Sequence, residues 1–126
     1  MRRIHHIAII ASDYDRSRRF YVEVLGLPVL REVYREERNS WECDLDAGNA
    51  QIELFSFPDP PQRPTRPEAC GLRHLAFEVD DIEAEIARLE RYGVVAEPIR
   101  VDPYTDRRFT FFADPDGLPL ELYESA

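Results

Sequence analysis

Gly71-Leu72-Arg73-His74-Leu75-Ala76-Phe77-Glu78-Val79-Asp80-Asp81 is the stretch on which the fold turns. Leu75, Phe77 and Val79 alternate with other residues, as in a half-buried strand, and the two aspartates offer a helix start. An earlier stretch has the same form: His5-His6-Ile7-Ala8-Ile9-Ile10-Ala11-Ser12-Asp13. His6 precedes Asp13 by seven residues, and His74 precedes Asp81 by seven. Each stretch is answered downstream by an apolar strand carrying one glutamate, Gln51-Ile52-Glu53-Leu54-Phe55 and Pro119-Leu120-Glu121-Leu122-Tyr123. The His-to-Glu distances agree (53 − 6 and 121 − 74, both 47). The chain is therefore read as a duplicated module.

Between these anchors the elements follow in one order, twice. Residues 4–11 alternate as a strand. Asp13 is a helix N-cap, with Tyr14, Ser17, Phe20/Tyr21 and Val24/Leu25 at helical spacing and Gly26 as the stop. Arg16, Arg18 and Arg19 are expected on a solvated helix face. Strands are expected near 28–36, 39–46 and 50–57, joined by turns at Arg38-Asn39-Ser40 and Ala47-Gly48-Asn49. Five prolines within 58–67 mark a stiff extended connector. The second copy has a strand over 72–79 and a helix capped by Asp80 or Asp81 in a capping-box-like Asp80-Asp81-Ile82-Glu83, with Gly93 as its stop. Ile82, Ile86, Leu89 and Tyr92 form the expected buried stripe. Strands near 94–101, 107–113 and 118–124 complete it, the last preceded by the turn Asp114-Pro115-Asp116-Gly117. The expectation is an α+β fold of two tandem βαβββ modules. One domain spans 1–126: module one 4–57, connector 58–70, module two 71–124.

Composition narrows the partners. With 126 residues, 44% hydrophobic and 33% charged, the chain suits one soluble globular domain. A net charge of −9 argues against nucleic acid and anionic membranes. No apolar run approaches a membrane span or a signal peptide. Cys43 and Cys70 fit neither a metal spacing nor a disulfide framework and are expected as reduced thiols in a cytoplasmic protein.

Strand alternation then decides which way the four repeated residues point. Leu118, Leu120 and Leu122 share one face and Pro119, Glu121 and Tyr123 the other. Ile52 and Leu54 lie opposite Glu53, and His6 and His74 stand opposite the apolar rows Ile7/Ile9 and Leu75/Phe77/Val79. Two imidazoles and two carboxylates gathered in a partly buried place are costly unless paired. A divalent cation removes that cost, and two nitrogens with two oxygens suit Zn, Ni, Co, Mn or Fe. His6, Glu53, His74 and Glu121 are the expected metal ligands, one ion per chain; His5 points away and is not one.

These residues resemble the vicinal oxygen chelate superfamily, which includes glyoxalase I, extradiol dioxygenases, methylmalonyl-CoA epimerases, and bleomycin and fosfomycin resistance proteins. The resemblance rests on His6-x-Ala8-x-x-x-Ser12-Asp13, Phe20-Tyr21, Leu25-Gly26-Leu27, Ile52-Glu53-Leu54, Arg73-His74-Leu75-Ala76, and Asp114-Pro115-Asp116-Gly117 with Glu121. Phe55-Ser56-Phe57-Pro58, the run from Arg66 to His74, and Val101-Asp102-Pro103-Tyr104 resemble its YaeR-type subgroup. The resemblance implies a curved mixed-sheet cup, a homodimer, and the same four metal ligands. It also implies a metal-dependent lyase or isomerase acting on a small molecule with vicinal oxygens. Glu121 would be the proton-moving carboxylate and Glu53 the second candidate. Phe55, Phe57, Phe109 and Tyr123 would form an apolar wall, and Arg35 and Arg108 are candidates to hold an anionic group. Ile10 and Phe57 stand where glyoxalase I places an arginine and an asparagine, so lactoylglutathione is not the expected substrate. An iron-dependent extradiol-type dioxygenase and a non-catalytic drug or metabolite binder are the alternatives.

Overall fold

A computed structural model describes residues 1–126. The chain divides into two compact units, Met1–Gln62 and Arg63–Ala126. Each is α+β and carries its own four-stranded mixed sheet.

In the first unit the sheet order is β1 (His6–Ala11), β4 (Gln51–Ser56), β3 (Ser40–Asp46), β2 (Val29–Arg35). β1 and β4 run parallel, with Ala8 opposite Glu53; the other pairs are antiparallel. Helix α1 (Tyr14–Arg19) begins where the Asp13 side chain accepts the amide of Arg16. It passes into a wider π turn over Phe20–Val24, closed by Leu25 N–H donating to Phe20 O at 2.9 Å. That turn lets the adjacent Phe20 and Tyr21 both be buried, with Ser17 and Val24. They cover the sheet face made by Ile9, Ala11, Cys43, Leu45, Ile52 and Leu54, all buried. The isoleucines and leucines among them each contribute about 1.5–3 kcal/mol of transfer free energy. Arg18 leaves the solvated face expected for it: its guanidinium donates to Glu32 on β2 at 2.7 and 3.2 Å.

The second unit repeats the plan with order β5 (Leu75–Val79), β8 (Pro119–Glu124), β7 (Arg108–Ala113), β6 (Arg100–Val101). β5 and β8 are parallel with Ala76 opposite Glu121, the same offset as in the first unit. Asp81, not Asp80, caps α2 (Ile82–Arg91), accepting from Ala84 N. Glu83 therefore sits too early for a capping box and pairs with Arg108. Ile82 and Leu89 are buried and Ile86 half-buried, while Tyr92 is exposed, because the helix ends there and its backbone leaves the helical region. The strand expected over 94–101 shrinks to two residues. Pro98 has no N–H for a ladder, and the chain before it is held instead by Glu97 N–H to Phe111 O and Thr110 Oγ1 to Glu97 O. At the last turn, Asp114 Oδ1 accepts from Asp116 N and Leu118 N, and Gly117 takes φ +81°, a left-handed value that favours glycine. Leu118, Leu120 and Leu122 are buried, as their alternation required. Both cysteines are free thiols, Cys43 buried and Cys70 exposed. No helix is long and apolar enough to cross a membrane.

Candidate functional site

In each unit the polar face of the sheet carries one histidine beside one glutamate. In the first, His6 Nδ1 stands 3.5 Å from Glu53 Oε2. In the second, His74 Nε2 stands 3.0 Å from Glu121 Oε2. The register explains both, since each histidine lies two residues before the alanine paired with its glutamate, and so on the same face. Glu121 is the more enclosed carboxylate, its residue only 8% exposed.

Each imidazole has a neighbour. His5 is a correction: it does not point away, and its Nδ1 lies 2.9 Å from His6 Nδ1 with the rings edge-on, because β1 begins at His6 and strand alternation does not govern the residue before it. Arg73 Nη1 lies 3.0 Å from His74 Nδ1. A guanidinium only donates, so Nδ1 of His74 is the acceptor in this contact, and Nε2 is the nitrogen that faces Glu121. The edge of His74 also meets Phe111, with centroids 5.1 Å apart.

Two acidic residues that carry no repeat signal join the first pair. Glu42 and Asp44 on β3 have carboxylate oxygens within 4.8 Å of each other and of Glu53. Asp44 pairs with Glu53 in the β3–β4 ladder and is buried. Its Oδ2 accepts from Arg31 at 2.7 Å, while its Oδ1 is buried without a partner. Burial first, then the Asp44 carboxylate, raises the Glu42 carboxyl above its ordinary value. A signal for both existed: Ser40, Glu42, Asp44 and Asp46 share one parity of their strand, and the Ala47-Gly48-Asn49 turn sets them beside Glu53.

At the same places of the second unit the middle strand offers Phe109 and Phe111. Phe109 stacks on Tyr123, 6.5 Å between centroids and 18° from parallel. Phe55 and Phe57 stack in the first unit, with the Arg35 guanidinium 4.7 Å above Phe55 and donating to Ser40 Oγ. Arg108 is a correction. It points to the helix side of its strand, opposite Phe109 and Phe111, and Glu124 and Glu83 hold it at 2.8–2.9 Å. It is not available to a ligand on the polar face.

A model of the Glyoxalase/Bleomycin resistance protein/Dioxygenase superfamily matches residues 3–122. YaeR of Escherichia coli (strain K12), which has no assigned activity, is 65% identical over 98% of this chain and 97% of its own. Two more distant relatives bear the names of enzymes. A 2-epi-5-epi-valiolone epimerase of Actinomyces sp is 30% identical, covering 94% of this chain and 77% of its own. A probable lactoylglutathione lyase of Vibrio cholerae is 32% identical, covering 98% and 91%. The solved structure of a glyoxalase family protein from Enterococcus faecalis is 53% identical, with a TM-score of 0.90 over 98% of both chains.

Proposed function

The chain belongs to the glyoxalase/bleomycin resistance protein/dioxygenase superfamily, and from that premise we propose that it is a divalent-metal-dependent lyase or isomerase. Its substrate is a small molecule with a carbonyl or hydroxyl on each of two adjacent carbons. The observation that carries this reading is the repeated half-site, one imidazole and one carboxylate at the same register offset in each sheet.

His6, Glu53, His74 and Glu121 would hold the ion, each half-site supplying one imidazole and one carboxylate. The residues fit such an ion on two counts. Each histidine nitrogen already stands within 3.5 Å of its glutamate oxygen, and a buried oxygen of Asp44 lacks a partner beside Glu53. Two nitrogens and two oxygens suit Zn, Ni, Co, Mn or Fe. When bound, the ion would supply Lewis-acid polarisation of the substrate carbonyl. The chain's own groups supply the rest. Glu121, the more enclosed of the two carboxylates, removes the proton next to the carbonyl and returns it, with Glu53 as the second candidate. Phe109, Phe111 and Tyr123 give that half an apolar wall that excludes water. Among the relatives, an epimerase and a lyase favour proton transfer over ring cleavage. Ile10 and Phe57 offer no polar atom to a glutathione carboxylate, which argues against lactoylglutathione itself.

The test is solvent exchange. Protein purified without chelator, incubated in D2O with a panel of small 2-hydroxycarbonyl compounds, should place deuterium next to the carbonyl of at least one, and Glu121→Gln should abolish that. Oxygen consumption on a catechol in its place would make the protein a dioxygenase. Ligand binding with neither reaction would make it a binder.

A further inference from the structure

The second unit contains a cavity of about 540 Å³, a size suited to a small metabolite. Its floor includes Phe111 and Pro119, on the same sheet face as Glu121, and Arg73, which donates to His74. The cavity therefore adjoins the His74–Glu121 half-site. Its rim is basic: Arg63, Arg66, Arg73 and Arg100 stand against only Glu68 and Glu97. In a chain of net charge −9 that excess is a local inversion.

The arginines are held in different ways. Arg63 is braced by Thr65 Oγ1 at 2.9 Å and Leu72 O at 3.3 Å, which leaves Nη1 uncommitted. Arg100 lies over Phe109 and Phe111 at 4.9 and 5.7 Å, with one nitrogen on Glu97. Arg66 is exposed and engaged by no hydrogen bond or ion pair. Braced guanidiniums above an aromatic floor suit a planar or tetrahedral oxyanion whose carbon skeleton rests on the ring. The first unit has Glu42 and Asp44 where Phe109 and Phe111 stand here, so the two copies differ on this face, one acidic and the other aromatic.

We propose that this arginine-rimmed cavity binds an oxyanion, a carboxylate or phosphate, carried by the substrate at the end remote from its vicinal oxygens. The proposal deepens the proton-transfer reading, on which it rests for the identity of the ligand's other end. Isotope-labelled protein as purified, with metal content measured on the same sample, is titrated separately with inorganic phosphate and with succinate while the backbone amides are followed by NMR. Saturable shifts are expected at the amides of Arg66, Ala69 and Gly117. Arg66→Glu and Arg100→Gln should each weaken binding about tenfold, the loss of one charge-assisted hydrogen bond. Arg91→Ala, on the last turn of α2, should change nothing. Arg66 is exposed and unpartnered, so its variant keeps the fold even if that at Arg100 does not. Binding of phosphate alone, of succinate alone or of both supports the proposal and names the anion. No saturable shift with either, or equal affinity in the Arg66 variant, overturns it. Deuterium exchange that persists without anion binding would sink only the cavity, and anion binding without exchange would sink only the proposed reaction.

Discussion

At the scale of single residues, chemistry is set by what lies across the ladder. Glu42 faces Asp44 and Glu53 from a half-buried place, and its carboxyl is raised by burial before anything else. The sign follows from linkage. Below the ordinary glutamate value, about pH 4, both folded and unfolded chains are protonated and Glu42 has no effect. As pH rises past that value the unfolded chain ionises first, so the folded state loses stability until its own, higher value is passed. Glu42→Gln should therefore raise the unfolding temperature of metal-free protein at pH 7, with the gain fading toward pH 4. An equal gain at both pH values would place its origin elsewhere. The proposed ligand residues offer a second check at this scale. His74→Ala should abolish the binding of about one divalent ion per chain, by elemental analysis, whereas His5→Ala should leave most of it. Equal losses would undo the assignment by strand parity.

At the scale of elements, the helices depend on caps more than on length, because α1 and α2 are short and isolated helices of that size are marginal. Two aspartates precede α2, and sequence alone left the choice between them open. Asp81 accepts the Ala84 amide at 3.0 Å, while Asp80 instead accepts from Ser125 Oγ. Asp81→Ala should cost about 1 kcal/mol in urea unfolding, and Asp80→Ala, at an exposed hydrogen bond, distinctly less. A larger loss at Asp80 would contradict the cap. The same scale explains the clipped β6. Its apolar pattern persists, yet Pro98 interrupts the hydrogen bonding that a strand needs.

At the scale of the whole molecule, each unit carries half of the proposed ligand set, one histidine beside one glutamate. The proposed set of His6, Glu53, His74 and Glu121 cannot come from either copy alone. We expect His6 and Glu53 of one chain to meet His74 and Glu121 of another, in the closed two-fold assembly that is commonest among oligomers. His6→Ala/Glu53→Ala and His74→Ala/Glu121→Ala proteins should each lose metal binding and regain it when refolded together. Mixed dimers that form without regaining metal would assign the centre to a single chain.

The sequence determined the duplicated βαβββ order, the start of α1 and, to within one residue, that of α2, and the shared face of each His and its Glu. Those are local matters: alternation with a period of two, a cap within four residues, and turn residues whose backbone tolerances are their own. Tertiary structure decided what depends on a partner strand or helix. Register set Glu42 and Asp44 beside Glu53, although neither belongs to the repeat. Packing folded the π turn around Phe20 and Tyr21 and drew Arg18 to Glu32. Strand alternation alone puts Arg108 on the helix side, opposite Phe109 and Phe111, and what the fold added was the acids of α2 and β8 that hold it there. The arginine-rimmed cavity was invisible beforehand, since its walls come from the connector, the β6 edge and the last turn, which only the fold of the second unit brings together.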